Sequence, residues 1–263
     1  NLYKNFWPAS VHVIGKDILR FHAIYWPAFL LAANISLPRR VFGHGWILSG
    51  DEKMSKSKGN ILNPLEIIDT YGIDQLRYYL IKEVSHGADG SISLKNLESC
   101  INSDLANNYG NLCQRVFSFV KSNCKSKVNK TKSTSDSDKK LLEQTEVLTK
   151  NLREEMNNQN LNNYIKSVIN ISFLTNKYIN DEEPWKLKKN NIEKMNNILH
   201  MALEQIAKIS ILLSPIIPIA TAKVLEALNV KAEQRNLSFL DGKNIISAKI
   251  EIKNLDILFK KIT

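Results

Sequence analysis

Val11-His12-Val13-Ile14-Gly15 is a β-branched run closed by glycine, and Lys16 to Asn34 follows it at once, apolar on one face. The first is the pattern of a buried parallel strand. The second has helical periodicity. With the Gly-Lys-Asp turn between them they make half of a βαβ unit. Pro27 inside the helical stretch predicts a kink, because proline lacks the amide donor and crowds the preceding turn. A second strand signal runs from Val41 to Leu48, interrupted by Gly43-His44-Gly45. Ser49 to Asn60 is polar with glycine near both ends, so it reads as a mobile loop. Asn63-Pro64 opens a short helix that Gly72 stops, and Ile73 to Val84 reads as another.

From about Leu94 glycine nearly vanishes and long helical periods take over. Helices are expected over Leu97–Val120, Asp138–Asn157, Asn160–Ile179, Ile192–Leu213 and Ile217–Leu228. Lys125 to Ser135 reads as a basic loop, either solvated or in contact with phosphate. The last segment, Ile245 to Phe259, alternates weakly and is expected to pack back on the first domain. The fold class is therefore α/β plus all-α, with an α/β domain over residues 1–98 and a helical bundle over 99–263.

Hydrophobic residues make up 43% and charged residues 24%, which excludes a disordered tail or a fibrous repeat. The net charge is +10. Residues 1–98 carry 11 basic and 9 acidic side chains, and residues 99–263 carry 25 and 17, so +2 and +8 respectively. A polyanion would dock most readily on the second part, although Lys-rich composition can also arise by drift. Cys100, Cys113 and Cys124 lack metal-ligand spacing and read as reduced packing residues in a cytoplasmic protein. No signal peptide is expected, and no apolar run in this sequence is long enough to span a bilayer. The chain begins with Asn1 rather than Met and reads as a piece of a longer protein.

Lys53-Met54-Ser55-Lys56-Ser57 sets two ammonium groups three residues apart among hydroxyls in a glycine-flanked loop. Such a set suits triphosphate oxygens. If it engages as charge builds on the leaving pyrophosphate, it lowers the barrier as well as binding substrate. Asp17, just past a strand end, can alone be read as an acid at a helix N-terminus, stabilised by the dipole. Ile18 and His22 share a helix face, and His22 alone reads as a core histidine. Asn111 and Arg115 also share a face, which alone is an ordinary amphipathic one. Trp185 after Pro184 is either a stacking platform for an unstacked base or a buried anchor.

Lys53 to Ser57 resembles the KMSKS signature of class I aminoacyl-tRNA synthetases. His12 to Ile18, Phe21-His22, Tyr25-Trp26-Pro27-Ala28, Phe42-Gly43-His44-Gly45, Asn111 to Arg115 and Pro184-Trp185 resemble the methionyl-tRNA synthetase family, in its order and approximate spacing. The resemblance implies the C-terminal half of a Rossmann-like catalytic domain followed by a helical anticodon-binding domain. It implies ATP contacts at Gly15, Asp17, His44, Ile47, Lys53, Ser55 and Lys56, with Lys53 and Lys56 also catalytic. Ile18, Phe21, His22 and Tyr25 would surround the methionine side chain, whose thioether packs well on rings. Asn111, Arg115 and Trp185 would read the anticodon of the methionine tRNA. ATP would come with Mg²⁺.

The family's His-x-Gly-His turn is absent, so this stretch alone is expected to be inactive. Any zinc is expected to have its ligands outside it. A monomer that does not engage a membrane is expected. The alternatives are a tRNA-binding module without catalysis, or another class I synthetase of the cysteine or leucine type.

Overall fold

His12–Gly15 (β1) lies parallel to Val41–His44 (β2) in the computed structural model, with His12 opposite Val41 and Gly15 opposite His44. The structure describes residues 2–50, 52–54, 62–84, 86–131, 134–240 and 244–263. A short helix, Leu2–Phe6 (α1), precedes the first strand. The helical connection expected between the strands is present but is not a plain kinked helix. It opens as a 3₁₀ turn at Lys16–Ile18, widens to a π-helical segment at Phe21–Tyr25, and continues as Trp26–Ala32 (α2). Pro27 explains the widening. It has no amide donor and crowds the carbonyl four residues back, and a wide turn relieves both problems.

The expected strand over Val41–Leu48 is two strands in two sheets. Ile47–Ser49 (β3) leaves β2 after Gly45 and pairs antiparallel with Glu52–Lys53 (β4) and parallel with Gly90–Ile92 (β5). Gly45 permits this break, because a Cβ there would lie 2.1 Å from the carbonyl oxygen of Ala88. The backbone around Ala88 passes where any other residue would place its side chain.

Asn63 caps Pro64–Tyr71 (α3) by accepting the amide of Leu65, and Gly72, at φ +102°, ends it. Ile73–Glu83 (α4) follows. The chain forms two compact units, Asn1–Leu62 with Glu83–Ser93, and Asn63–Lys82 with Leu94–Thr263. Residues 63–82, expected within the first domain, thus pack with the helical body. Asp74 of α4 accepts the amide of Ala220 at 2.7 Å, and Arg77 donates to the carbonyls of Pro215 and Ile216.

In the second unit, Leu94–Cys100 (α5) runs through a π-helical segment, Ile101–Gly110, into Asn111–Cys124 (α6). Asp136–Thr149 (α7), Leu152–Asn157 (α8), Leu161–Glu182 (α9), Ile192–Leu213 (α10) and Pro218–Ala227 (α11) complete the helices. The helix expected over Asp138–Asn157 is therefore split between α7 and α8. The core gathers Leu105, Tyr109, Val116, Ile165, Val168, Leu203 and Ile206, all nearly inaccessible. Several of its polar groups are paired, although Ser172 Oγ and Gln205 Oε1 are buried without a partner among the described residues. Tyr109 meets Ser210 Oγ at 2.7 Å, Tyr164 donates to the carbonyl of Leu212, and Tyr178 donates to the buried Asp138.

Lys127–Asn129 (β6) pairs antiparallel with Lys249–Glu251 (β7). Part of the expected basic loop is therefore a strand, with Val128 buried. The C-terminal segment docks on the helical body rather than on the first domain. Glu204 of α10 accepts the amides of Ile245 and Ile246, and Asn102 holds both termini of the Ile262 peptide group's hydrogen bonding, accepting its amide and donating to its carbonyl. Cys100 and Cys113 are buried, and burial pushes the Cys113 thiol far up.

Candidate functional site

In the first unit, Gly15, Asp17 and His44 converge at the ends of β1 and β2. A Cβ on Gly15 would sit 2.5 Å from Asp17 Oδ1 and 4.0 Å from the His44 ring. The glycine therefore makes room for the carboxylate in its exposed position. The His44 ring is fixed by a 3.0 Å contact from Nδ1 to the carbonyl of Gly45. It lies beside His86, whose ring stacks almost flat on Phe42, with 5.0 Å between centroids and 10° between planes. Burial, reinforced by His44, holds the pKa of His86 below the ordinary histidine value. Ile47 opens β3 with its side chain exposed.

The two strand ends are braced by the 86–90 turn. Lys16 reaches both carboxylate oxygens of Asp89 at 2.5 and 2.6 Å, and the same carboxylate accepts the amide of Trp46 at 2.7 Å. The Lys16 hydrogen bond and the Trp46 amide lower the Asp89 pKa. Sequence reasoning missed His86 and Asp89. They lie some forty residues beyond β2, and nothing local distinguishes them from an ordinary turn.

Ile18, Phe21, His22 and Tyr25 all project from the 3₁₀–π stretch, but on two sides. His22 Nδ1 contacts the carbonyl of Ile18 at 3.0 Å, and its ring lies edge-on to Trp26 at 5.7 Å. Trp26 also meets His12 and Trp7, forming an aromatic cluster to which the motif reading assigned no role. Phe21 pairs with Tyr25 at 5.6 Å, and the Arg20 guanidinium lies 5.6 Å over the Tyr25 ring. Ile18, Phe21 and Tyr25 are exposed. The backbone of Lys53 lies in β4, opposite Leu48. Ser55 and Lys56 lie outside the described residues.

The second cluster belongs to the helical body. Arg115, half-buried on α6, donates from Nη2 to Asn180 Oδ1 at 2.7 Å, with its guanidinium carbon 6.0 Å from the centre of the Trp185 ring. Trp185 is presented by a sharp turn. Glu183 ends α9 in the left-handed region at φ 45°, Pro184 is buried, and Trp185 emerges with 39% of its surface exposed. A non-glycine residue in that region costs backbone energy. The turn is held by the Glu183–Lys186 ion pair at 2.7 Å. Asn111, one turn before Arg115, is half-buried, and it follows the π-helical segment directly. Asn180, which orients the guanidinium, escaped the motif reading. It and Asn176 are four apart on α9, and Asn176 donates to Asn108 Oδ1 on the π-helical segment that precedes α6.

Among the described residues no group of three or more His, Cys, Asp or Glu side chains is placed to hold a metal ion. No helix among them is long and apolar enough to cross a membrane.

Two family models match the chain: class I tRNA synthetases (M) over residues 1–117, and the anticodon binding domain of methionyl tRNA ligase over residues 128–263. Methionine–tRNA ligase of Rhizobium meliloti is 42% identical over 235 residues, covering 89% of this chain and 46% of the relative. That of Rickettsia conorii is 41% identical over 269 residues, covering 98% and 52%. Mycobacterium tuberculosis methionyl-tRNA synthetase bound by methionyl-adenylate superposes with a TM-score of 0.92 at 34% identity, covering 99% of this chain and 52% of that one. Its apo form superposes with a TM-score of 0.90 at 32% identity, covering 100% and 52%. The chain spans about half the length of the relatives it matches. By the two family models and this level of identity, the chain belongs to the methionyl-tRNA ligase family of class I tRNA synthetases.

Proposed function

We propose that the chain serves ATP-dependent activation of methionine and its transfer to the methionine tRNA. Residues 1–98 would contribute to the small-molecule site and residues 99–263 would read the anticodon. In the first step the methionine carboxylate attacks the α-phosphorus of ATP and pyrophosphate leaves. In the second, a hydroxyl of the terminal ribose attacks the activated carbonyl and AMP leaves. Neither step needs a covalent enzyme intermediate, so the protein's work is positioning and charge stabilisation.

Asp17 would accept the ribose hydroxyls, with Gly15 clearing the approach. His44, with the backbone of Ile47, would border the adenine. Lys53, Ser55 and Lys56 would hold the triphosphate, whose charge Mg²⁺ would share. Ile18, Phe21, His22 and Tyr25 would enclose the thioether. Asn111, Arg115 and Trp185 would take an anticodon base, by hydrogen bonds to its edge and stacking on its face. The protein would act as a cytoplasmic monomer.

The observation that carries this reading is the Arg115–Trp185 pair, with a donor fork oriented by Asn180 over a ring left open to solvent. The test is binding of this chain to methionine tRNA and to the same tRNA with one anticodon base altered. The altered base should cost about 1–3 kcal/mol, and Trp185→Ala should remove most of that difference. Equal, salt-sensitive binding of both RNAs would leave only a basic surface.

A further inference from the structure

Beside the Arg115–Trp185 pair stands a second cation over a ring. The Lys188 ammonium lies 5.3 Å from the centre of Phe119. Phe119 is half-buried, one turn beyond Arg115 on α6, and Lys188 is exposed, three residues beyond Trp185. The two pairs are mirror arrangements across the same seam. In one the helix supplies the cation and the turn supplies the ring; in the other the roles are exchanged. They are about 6 Å apart along the helix axis, roughly one nucleotide step of an extended strand.

Ion pairing sets Lys188 apart from Lys186 and Lys194. Lys186 is paired with Glu183 at 2.7 Å, and Lys194 with Glu182 at 2.9 Å. Among the described residues no carboxylate pairs with Lys188. A carboxylate would fix the ammonium and cancel its charge. An aromatic face fixes it by the ring quadrupole and leaves the charge intact, with N–H donors turned outward. The result is a positioned, uncompensated point charge, the form suited to a phosphate oxygen.

We infer that Lys188, held over Phe119, grips the RNA backbone next to the base taken by Arg115 and Trp185. This rests on the anticodon reading proposed above. One pair then supplies sequence information and the other supplies purchase on the strand, the ordinary division between base and phosphate contacts.

The experiment is the salt dependence of binding of this chain to methionine tRNA, with and without the anticodon change, for the wild type, Lys188→Ala, Lys188→Arg and Trp185→Ala. Lys188→Ala should weaken both RNAs by the same factor. It should also reduce the slope of log K against log salt by about 0.7, one phosphate of a single strand. Lys188→Arg should restore the slope. Thermal melts of the two Lys188 variants should match the wild type, since that side chain is exposed. An unchanged slope in Lys188→Ala overturns the inference, and so does a loss confined to one of the two RNAs. If the wild type ignores the base change while Lys188→Ala still lowers the slope, the base-reading proposal fails and the phosphate contact stands. A wild type without salt-sensitive RNA binding overturns both.

Discussion

The two units of the chain handle their apolar surface differently. In the helical body Leu105, Tyr109, Ile165, Val168, Leu203 and Ile206 are inaccessible to solvent. In the first unit Phe6 is 72% exposed, Phe29 69% and Leu31 65%, and of the residues in α2 only Leu30 is buried. The stretch from Phe21 to Ala32 is apolar around most of its circumference, which is the pattern of a helix enclosed by other protein. Exposed apolar surface of this kind marks a surface suited to being covered. The helical body closes a core with its own residues. The strand-and-turn unit places its glycines, carboxylate and rings without a comparable core beneath them.

The largest expected effect tests this contrast. Leu203→Ala should cost about 3–4 kcal/mol through lost burial and the cavity left behind. Phe29→Ala should stay within about 0.5 kcal/mol, as exposed substitutions do. Urea titrations followed by far-UV circular dichroism compare them, and similar losses would erase the distinction between the units. Tyr178→Phe should come next, at about 1–3 kcal/mol, because it strips a donor from the buried Asp138 carboxylate. A midpoint within error of the wild type would show that water replaces the phenol.

Asp74→Ala sharpens the boundary itself. Asp74 is buried and caps the start of α11 through the amide of Ala220. Its loss should cost the helical unfolding transition about 1 kcal/mol. If that transition is unmoved, residues 63–82 do not belong with the helical body.

The smallest effect is in pH. Burial lowers the pKa of His200 below 6.5, and only its contact with the carbonyl of Ser247 opposes this. The unfolded chain therefore takes up the proton first as pH falls. The stabilisation is present above pH 6.5 and is lost as pH drops through the lower folded value. Melting temperatures between pH 7.5 and 5 should decline for the wild type and decline less for His200→Gln. Parallel curves would assign the decline to other groups.

Much of this was legible in the residues. The parallel strand at His12–Gly15 follows from a short β-branched run ended by glycine. α3 begins and ends where Asn63-Pro64 and Gly72 place it, because capping and left-handed backbone are local requirements. α10 spans Ile192–Leu213 as its apolar period requires. The π-helical segments were harder. Pro27 and Gly110 signal a disturbance, but whether a helix kinks, breaks or widens depends on what surrounds it. Each segment holds or directly precedes candidate binding residues, Phe21 to Tyr25 in one case and Asn111 in the other. The break after Gly45 could not be read, because its cause is the Ala88 backbone more than forty residues away. Asn180, Asp89 and His86 were missed for the same reason: each acts on a partner distant in sequence.

The sequence by itself determined the succession of strand, turn and helices, the family, and the residue types offered as sites. Those depend on spacing, caps and side-chain chemistry, which are properties of neighbours along the chain. Only the tertiary structure decided that residues 63–82 pack with the helical body and that the C-terminal strand pairs with β6. It also decided that Asn180 aims Arg115 at Trp185, and that Lys188 rests on a ring rather than on a carboxylate. Those outcomes depend on distances between residues far apart in sequence, and such distances are set by packing.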